Sequence, residues 1–441
     1  MKSEINIFSQ KIIKSFYQSL ADSSPERLIT KKKKYNNQNI LFNNKNIYKL
    51  LNNEKFYFVA LGKASQSLSS GFLRLFKDKV IDYLVIKHFD KKKFIIKKKN
   101  SIISTHPLVS IKSYKAAKKL LKFIKKIPKK SNILFLISGG GSAMLAHPLP
   151  GLNFNKKSNF INNLIKLGIG EREVNYFRKS LSSIKSSKLL NYFDDANILN
   201  LILSDERQNK IDAISSGLTV PQKRNKININ LFNYVTSQEF CSKEIKIFLK
   251  KNNYDYPKNN YGNKVKTIII GDRNDLVFSI TKYLENNFIT NRIKYYGHIF
   301  EPSFEEATKK IFNSSKKFYN NQYKGNNFLI FTGEIPVKAN LNSKGGRNQH
   351  LSAYFIDKFK NFKNFSFCCF STDGCDFVKG VHGAYIDNNI VDLVLNNRIN
   401  YNSYIKETNT YYLHKITDSL IKGNYSDNNL SDFYIFAYRK K

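Results

Sequence analysis

The sequence predicts an α/β protein of two domains, built on mainly parallel sheets covered on both faces by helices. Two observations predict it. Apolar runs of strand length recur along the chain, each ending in a turn that leads into a helical pattern. The length, 441 residues, favours two or three domains over one core, and a hydrophobic fraction of 41% is enough to fill them.

The first such run is KFYFVALGKASQSLSSGFLRLF. A strand at about 56 to 61 turns at Gly62 and continues as a helix with Leu68, Phe72 and Phe76 on one side. VSIKSYKAAKKLLKFIKKI follows as an amphipathic helix, with Ala117, Leu120, Leu121 and Ile124 as its apolar stripe and lysines toward water. SNILFLISGGGSAML repeats the strand, loop and helix near 132 to 145, and VKTIIIGDRNDLVFSITKYL does so near 265 to 284. NFSFCCFSTDGCD ends a strand at about Phe370. The Asn-, Pro- and Gly-rich stretch 254 to 266 suggests a boundary, giving domains of 1–255 and 265–441. The lysine runs at 31–34 and 91–99 read as solvated loops or strand edges.

Lys and Arg number 74 against 33 Asp and Glu, a net charge of +41. A nucleic-acid or membrane-surface partner is one reading. The excess is mainly lysine, accompanied by asparagine and isoleucine along the whole chain, which adenine- and thymine-rich codons also produce. That second reading is preferred, and no nucleic-acid partner is expected. Cys241, Cys368, Cys369 and Cys375 have no metal-site or disulfide spacing, which fits a reduced compartment. No signal peptide is evident at the N-terminus, and no window reaches 18 uninterrupted apolar residues. A cytoplasmic protein without a membrane span is the expectation, of undetermined oligomeric state.

Five segments carry candidate chemistry. Gly139, Gly140, Gly141 and Ser142 follow an apolar strand, where backbone amides freed of side chains can cradle a phosphate or carboxylate, or simply allow a tight turn. The loop lacks the GK[ST] of a Walker A motif, and Met144 occupies the last small position of a dinucleotide fingerprint. Lys63 in ALGKAS follows a strand and can place a positive charge on phosphate oxygens. In LILSDERQNKIDAISSGLTVP, Asp205 ends a strand as a metal or lysine partner or a helix cap, and Ser216, Gly217 and Thr219 lie in a polar turn suited to a ligand. In FTGEIPVKANLNSKGGRNQHLS, Glu334 lies beyond a strand, while Gly345, Gly346, Arg347 and Asn348 open a helix with a planar guanidinium for carboxylate or phosphate. Asp373 in STDGCDF sits at a strand's carboxyl end, as a Mg²⁺ ligand, a proton acceptor or a turn aspartate.

In this order, ALGKAS, THPLVSIKSYKAAKKLL, LFLISGGGSAML, RKSLSSIKSSKLL, LILSD with SSGLTVP, GGRNQHLS, and STDGCD with HGAYID resemble the glycerate 2-kinase family of the type carrying a MOFRL domain. The resemblance runs from about Leu20 to near Asp432. It implies a larger N-terminal domain with a Rossmann-like sheet, a smaller C-terminal MOFRL domain and an active site in the cleft between them. It implies transfer of the γ-phosphoryl group of ATP to the 2-hydroxyl of D-glycerate, with Mg²⁺. Lys63 and Arg347 match the basic residues near the transferring phosphate, residues 139–142 the glycine loop, and Asp205 and Asp373 the acidic positions of the LSD and TDG motifs. Asp373 is the implied metal ligand. The substrate carboxylate needs a basic or amide-lined pocket, for which Arg178 and the Ser216–Thr219 turn are the candidates, with Glu334 beside the substrate.

The sequence departs from that pattern at several points. Residues 206–209 read ERQN where the family has a small and acidic stretch; Leu218 replaces a proline; Ser180 replaces a histidine; Ser186, Ser187 and Phe377 replace glycines; and SDNNLSD stands for the C-terminal TGTNVND. A Cβ at a left-handed backbone position costs about 1 kcal/mol or more. The alternatives to the kinase are an oxidoreductase acting on hydroxypyruvate and an inactive basic protein that binds polyanions.

Overall fold

The computed structural model describes residues 4–440 except 37, 44, 52–54, 90–95, 168, 207–209, 221–226, 252–262, 339, 341, 342, 425, 427 and 429. They form two compact units. Pro25–Asp272 make one, and the residues up to Ser24 join Arg273–Lys441 in the other. The first unit starts with α2 (Pro25–Lys32) and an antiparallel meander of β1 (Lys33–Asn36), β2 (Asn39–Phe42) and β3 (Lys45–Lys49). Its main sheet comprises β4 (Phe56–Leu61), β5 (Val80–Lys87), β6 (Ser101–Ile103), β7 (Asn132–Ile137), β8 (Asn197–Leu203) and β9 (Lys264–Gly271). The spatial order is β6-β5-β4-β7-β8-β9 with every pair parallel. Numbered within the sheet, that is the 3-2-1-4-5-6 order of doubly wound folds.

Every residue of β7 and β8 is buried, as strands covered on both faces require. The expected helix after β4 is α3 (Ser65–Phe76), which buries Leu68, Phe72 and Phe76. The lysine-rich amphipathic helix is α4 (Ile111–Ile124), capped by Ser110; it buries Ala116, Ala117, Leu120 and Ile124 and half-exposes Leu121. A one-turn helix, α5 (Gly141–Met144), follows β7. Beyond it, α6 (Phe154–Lys166), α7 (Glu171–Ser180), α8 (Ile229–Ser237) and α9 (Lys243–Lys251) close a second core around Phe160, Phe177 and Phe232.

The second unit comprises α1 (Glu4–Asp22), α10 (Arg273–Asn287), β10 (Thr290–Ile299), α11 (Phe304–Asn320), β11 (Gly325–Gly333), α12 (Arg347–Phe359), β12 (Phe365–Ser371), a hairpin of β13 (Cys375–Asp376) and β14 (Val378–Lys379), β15 (Val381–Asp387), three short helices α13 (Asn388–Asn396), α14 (Tyr401–Lys406) and α15 (Thr410–Ile416), then β16 (Leu420–Lys422) and β17 (Asp432–Lys440). Its sheet runs β10-β11-β17-β12-β15-β16. Here the expectation of a mainly parallel sheet fails. Among the described residues of this sheet only β10 and β11 pair in parallel; β17 inserts antiparallel between β11 and β12, and β15 and β16 continue antiparallel. Alternation of strands with helices is compatible with either direction once the final strand returns to the sheet centre.

The units also divide differently from the boundaries drawn on the sequence. β9 pairs with β8 along its length and so completes the first sheet. Phe8, Ile12, Phe16 and Leu20 form a buried stripe on α1, and Phe16 stacks on Phe370 of β12 with centroids 3.9 Å apart. Ser9 on the same helix donates to Asp387 at 2.8 Å. Because side chains alternate along a strand, Phe370 faces α1 while Phe365 and Phe367 face Phe359 and Phe355 of α12. Helices therefore cover both faces of β12. Residues 254–262 of the expected boundary stretch lie outside the described residues. Among the described residues no helix is long and apolar enough to cross a membrane.

Two features of this unit carry predictions. Phe377, at the tip of the β13–β14 hairpin, has φ +61° and is 70% exposed. A bulky side chain there bears left-handed strain without burying surface. Phe377→Gly is expected to raise unfolding free energy by about 1 kcal/mol, read by urea denaturation; an unchanged or lower midpoint would refute the strain. His414 is wholly buried, its Nδ1 2.7 Å from Ser419 Oγ and its Nε2 2.9 Å from the Gln349 carbonyl. Burial pushes its pKa down to about 4. The unfolded chain then takes up a proton near pH 6.5 that the folded chain refuses, so stability falls as pH drops below that value. His414 alone is expected to contribute about 2 kcal/mol to the loss from pH 7 to pH 5, beside the depressed imidazoles of His106 and His350, and His414→Gln should reduce the loss by about that much. An equal pH slope in the variant would exclude His414 as the source.

Candidate active site

β4 and β7 are neighbours in the sheet, yet the chain proceeds from β4 to one side and from β7 to the other. Such a switch point opens a crevice at the carboxyl ends of the strands. Lys63 leaves β4 there and the glycine loop leaves β7. The two are tied together: the Lys63 amide donates to the Gly139 carbonyl at 2.9 Å and the Ala64 amide to Ser138 Oγ at 3.0 Å. Asp205 follows β8, the next parallel strand, and is half-buried. Three of the expected residues or loops thus share one sheet edge.

Gly140 has φ +83°, and a Cβ on it would stand 3.0 Å from the His106 ring and 3.2 Å from Lys63 Cγ. The loop backbone therefore lies directly against the lysine stem and the imidazole. Gly141 and Ser142 open the single turn of α5, so their amides have no intrahelical acceptor. Burial, then Lys63, His88 and Arg178 in turn, push His106 down to about 3. Its ring stays neutral at physiological pH because it is buried, and the cations about it add to that.

Ser142 is the hub of a buried polar web. Its hydroxyl meets Ser216 Oγ, and Asn175 Oδ1 lies 3.2 Å away. Arg178 Nη1 lies 3.5 Å from Ser142 Oγ and 3.4 Å from Asn175 Oδ1. The Ser142 carbonyl accepts from Lys185 Nζ at 2.7 Å. Ser215, Ser216 and Gly217 are all left-handed, with φ of 52°, 57° and 58°. That turn is held from behind, where the amides of Ser186 and Ser187 donate to the carbonyls of Ser216 and Gly217 at 3.0 and 2.7 Å. Ser186 and Ser187 are left-handed too, which explains why glycine suits those positions. Thr219 is different from its expected role. It is fully buried and its hydroxyl is engaged by Asn200 Oδ1 at 2.7 Å, a tie within the core. Residues 207–209, part of the departing ERQN stretch, lie outside the described residues.

Glu334, Gly345, Gly346, Arg347, Asn348 and Asp373 belong to the other unit. Gly345, Gly346 and Asn348 were expected to offer phosphate a helix N-terminus. The Asp376 carboxylate occupies it instead: it accepts from the amides of Asn348 and Gln349 at 3.1 and 2.9 Å and from both their side-chain amides. A Cβ on Gly346 would meet that carboxylate at 2.2 Å, so the glycine admits the cap. Arg347 is likewise engaged. Its Nε and Nη2 grip Asp432, the latter at 3.2 Å, and Nη1 lies 3.3 Å from Glu334. Burial works against the guanidinium charge, but Asp432 and Glu334 outweigh it and hold Arg347 above its usual range. Asp373 Oδ1 accepts from Ser371 Oγ at 2.6 Å and from the Cys375 amide at 2.9 Å, the geometry of a turn aspartate. Among the described residues no three His, Cys, Asp or Glu side chains gather as a metal cluster.

His106, Asn175, Lys185, Asp376 and Asp432 escaped the sequence reading. Asp376 stands three residues after Asp373 in the same motif, and Lys185 lies within SSIKSS, so both segments were visible. Nothing in a linear pattern shows that Asp376 reaches back 28 residues to cap α12.

Residues 11–247 match the DUF4147 family, described as a domain of unknown function, and residues 327–432 match the MOFRL family. A glycerate 2-kinase of Sulfurisphaera tokodaii is 30% identical over 383 residues, covering 86% of this chain and 88% of that protein. A glycerate 2-kinase of Picrophilus torridus is 26% identical over 435 residues, covering 98% and 97%. The crystal structure of a glycerate kinase from Thermotoga maritima shares the fold, with a TM-score of 0.79 at 20% identity over 98% of this chain and all of that one.

Proposed function

The chain belongs to the glycerate 2-kinase family, with a DUF4147 and a MOFRL domain, and on that premise we propose that it transfers the γ-phosphoryl group of ATP to the 2-hydroxyl of D-glycerate in the cytoplasm, giving 2-phosphoglycerate. The observation that carries the reading is the pairing of Lys63 with the Gly139–Ser142 loop at the sheet's switch point. Phosphoryl transfer asks little covalent chemistry of a protein. It asks for cations on the equatorial oxygens, amides around the phosphate chain, an oriented hydroxyl and a proton acceptor.

In this reading Lys63 and the loop amides take the phosphate oxygens. Arg178, with Ser142, Asn175 and Ser216 about it, receives the hydroxy acid. Arg347 is the second cation by the motif it matches. Asp205 and Asp373 supply the proton acceptor and the metal ligand. Mg²⁺ would suit a single carboxylate such as that of Asp373, because it is held by one or two carboxylates and completes its shell with phosphate and water. Asp373 Oδ2 has no hydrogen-bond partner among the described residues. When bound, Mg²⁺ offsets charge on the phosphate oxygens.

The test is an assay with ATP, Mg²⁺ and D-glycerate, with the phosphorylated carbon identified by NMR. Product phosphorylated at C2 is the expected result. NADH oxidation by hydroxypyruvate without phosphotransfer would overturn the reading.

A further inference from the structure

Asp432 sits where three strands of the second sheet meet. It opens β17, pairs with Gly333 at the end of β11 and with Ser371 at the end of β12, and is fully buried. Its carboxylate grips Arg347 side-on, through Nε and Nη2. The other end of the arginine is fixed through its backbone. Arg347 opens α12, and Asp376 holds the first turn of that helix through the amides of Asn348 and Gln349 at 3.1 and 2.9 Å. Glu334 is a different kind of neighbour. It faces Nη1 at 3.3 Å, and its side chain is 42% exposed. A carboxylate held in the sheet stays with the guanidinium, whereas a half-exposed ion pair is weak enough to exchange.

A guanidinium has five N–H donors in a rigid plane. Asp432 takes one from Nε and one from Nη2. The edge formed by Nη1 and Nη2 lies beyond that grip, and such an edge matches two oxygens of one phosphoryl group. A rotating side chain has to be ordered at the moment of reaction; one held in its plane beforehand does not. We propose that Asp432 is a positioning residue, which aims Arg347 so that its Nη1–Nη2 edge meets an oxyanion, with Glu334 as the counter-ion that the oxyanion displaces. That the oxyanion is the transferring phosphoryl group rests on the kinase reading; the aiming rests on the ion pairs alone.

The experiment is chemical rescue. Arg347→Ala empties a space that opens to solvent, since the arginine side chain is 38% exposed. Guanidinium chloride at about 50 mM is the probe, set against equal sodium chloride so that screening is matched. Burial pushes the Asp432 carboxyl up, so about pH 8.5 keeps more of it ionised. Guanidinium is expected to raise kcat of Arg347→Ala at least about tenfold, the worth of a hydrogen bond to a charged group. It should also raise the melting temperature of that variant by about 2 °C, because a ligand that binds only the folded chain stabilises it. Neither change is expected when Arg347→Ala is combined with Asp432→Asn. Rescue of kcat as strong in the double variant as in the single one, or no thermal shift in the single one, would overturn the positioning. A thermal shift without rescue would show that Asp432 serves the fold alone, which also overturns it. Should Arg347→Ala not fold, Asp432→Asn in the otherwise intact chain decides. Its kcat is expected to fall at least about tenfold with a smaller change in KM, and an unchanged kcat counts against the proposal. A parent chain without ATP-dependent phosphorylation would sink the kinase reading, and the thermal shift then tests by itself whether Asp432 holds the guanidinium.

Discussion

Lys63→Met is expected to lower kcat about 10²- to 10³-fold while leaving the unfolding midpoint within error, the loss associated with removing one preorganised electrostatic contact to a transition state. The methionine keeps the length and apolar stem that pass Gly140, so packing survives and only the charge goes. The backbone amide of residue 63, which holds the Gly139 carbonyl, is untouched. The effect should therefore appear in kcat more than in the KM for D-glycerate. Unchanged turnover would remove Lys63 from the reaction. A large fall in stability would mean that the ammonium is structural.

Arg347→Ala should instead act first on the fold. Asp432 is 1% exposed at the start of β17, at the centre of the second sheet, and Arg347 grips it with two nitrogens. Removing one partner of a buried ion pair strands the other and costs 3–5 kcal/mol in full burial. Here the Arg347 side chain is 38% exposed, so water and salt screen part of the interaction, and about 2–4 kcal/mol is the expected loss. Asp432→Asn in the same chain should restore much of it, because the stranded charge is gone. That double variant separates two roles for Arg347. If it folds well and still lacks phosphotransfer, the guanidinium serves the reaction; if activity returns with stability, it serves the fold. A single variant as stable as the parent would show that the Asp432 contact contributes nothing.

Much of the candidate site was legible because strand ends are legible. Apolar runs that stop at ALGKAS, SGGGSA and LSD place Lys63, Gly139–Ser142 and Asp205 at carboxyl ends, and parallel pairing of β4, β7 and β8 then brings them to one edge. The strained glycine replacements were legible for the same local reason: Ser186, Ser187 and Phe377 adopt positive φ. What was not legible is who consumes each polar group. Arg347 and Asn348 look free in KGGRNQ, but Asp432 and Asp376 reach them from 85 and 28 residues away. The burial of Lys157 and Lys185 was hidden by abundance, since lysine is common throughout this chain and burial does not show in composition.

The chain's own pattern decides local matters: which segments are strands, where they end, which helix face is apolar and where glycine relieves the backbone. Periodicity reports that Phe8, Ile12, Phe16 and Leu20 form a stripe. It does not report what covers that stripe, and the second unit's β12 does so although the first unit follows in sequence. Strand direction in the second sheet and the division of the units were settled the same way. An apolar surface is non-directional in what it attracts, so the choice among partners falls to three-dimensional fit.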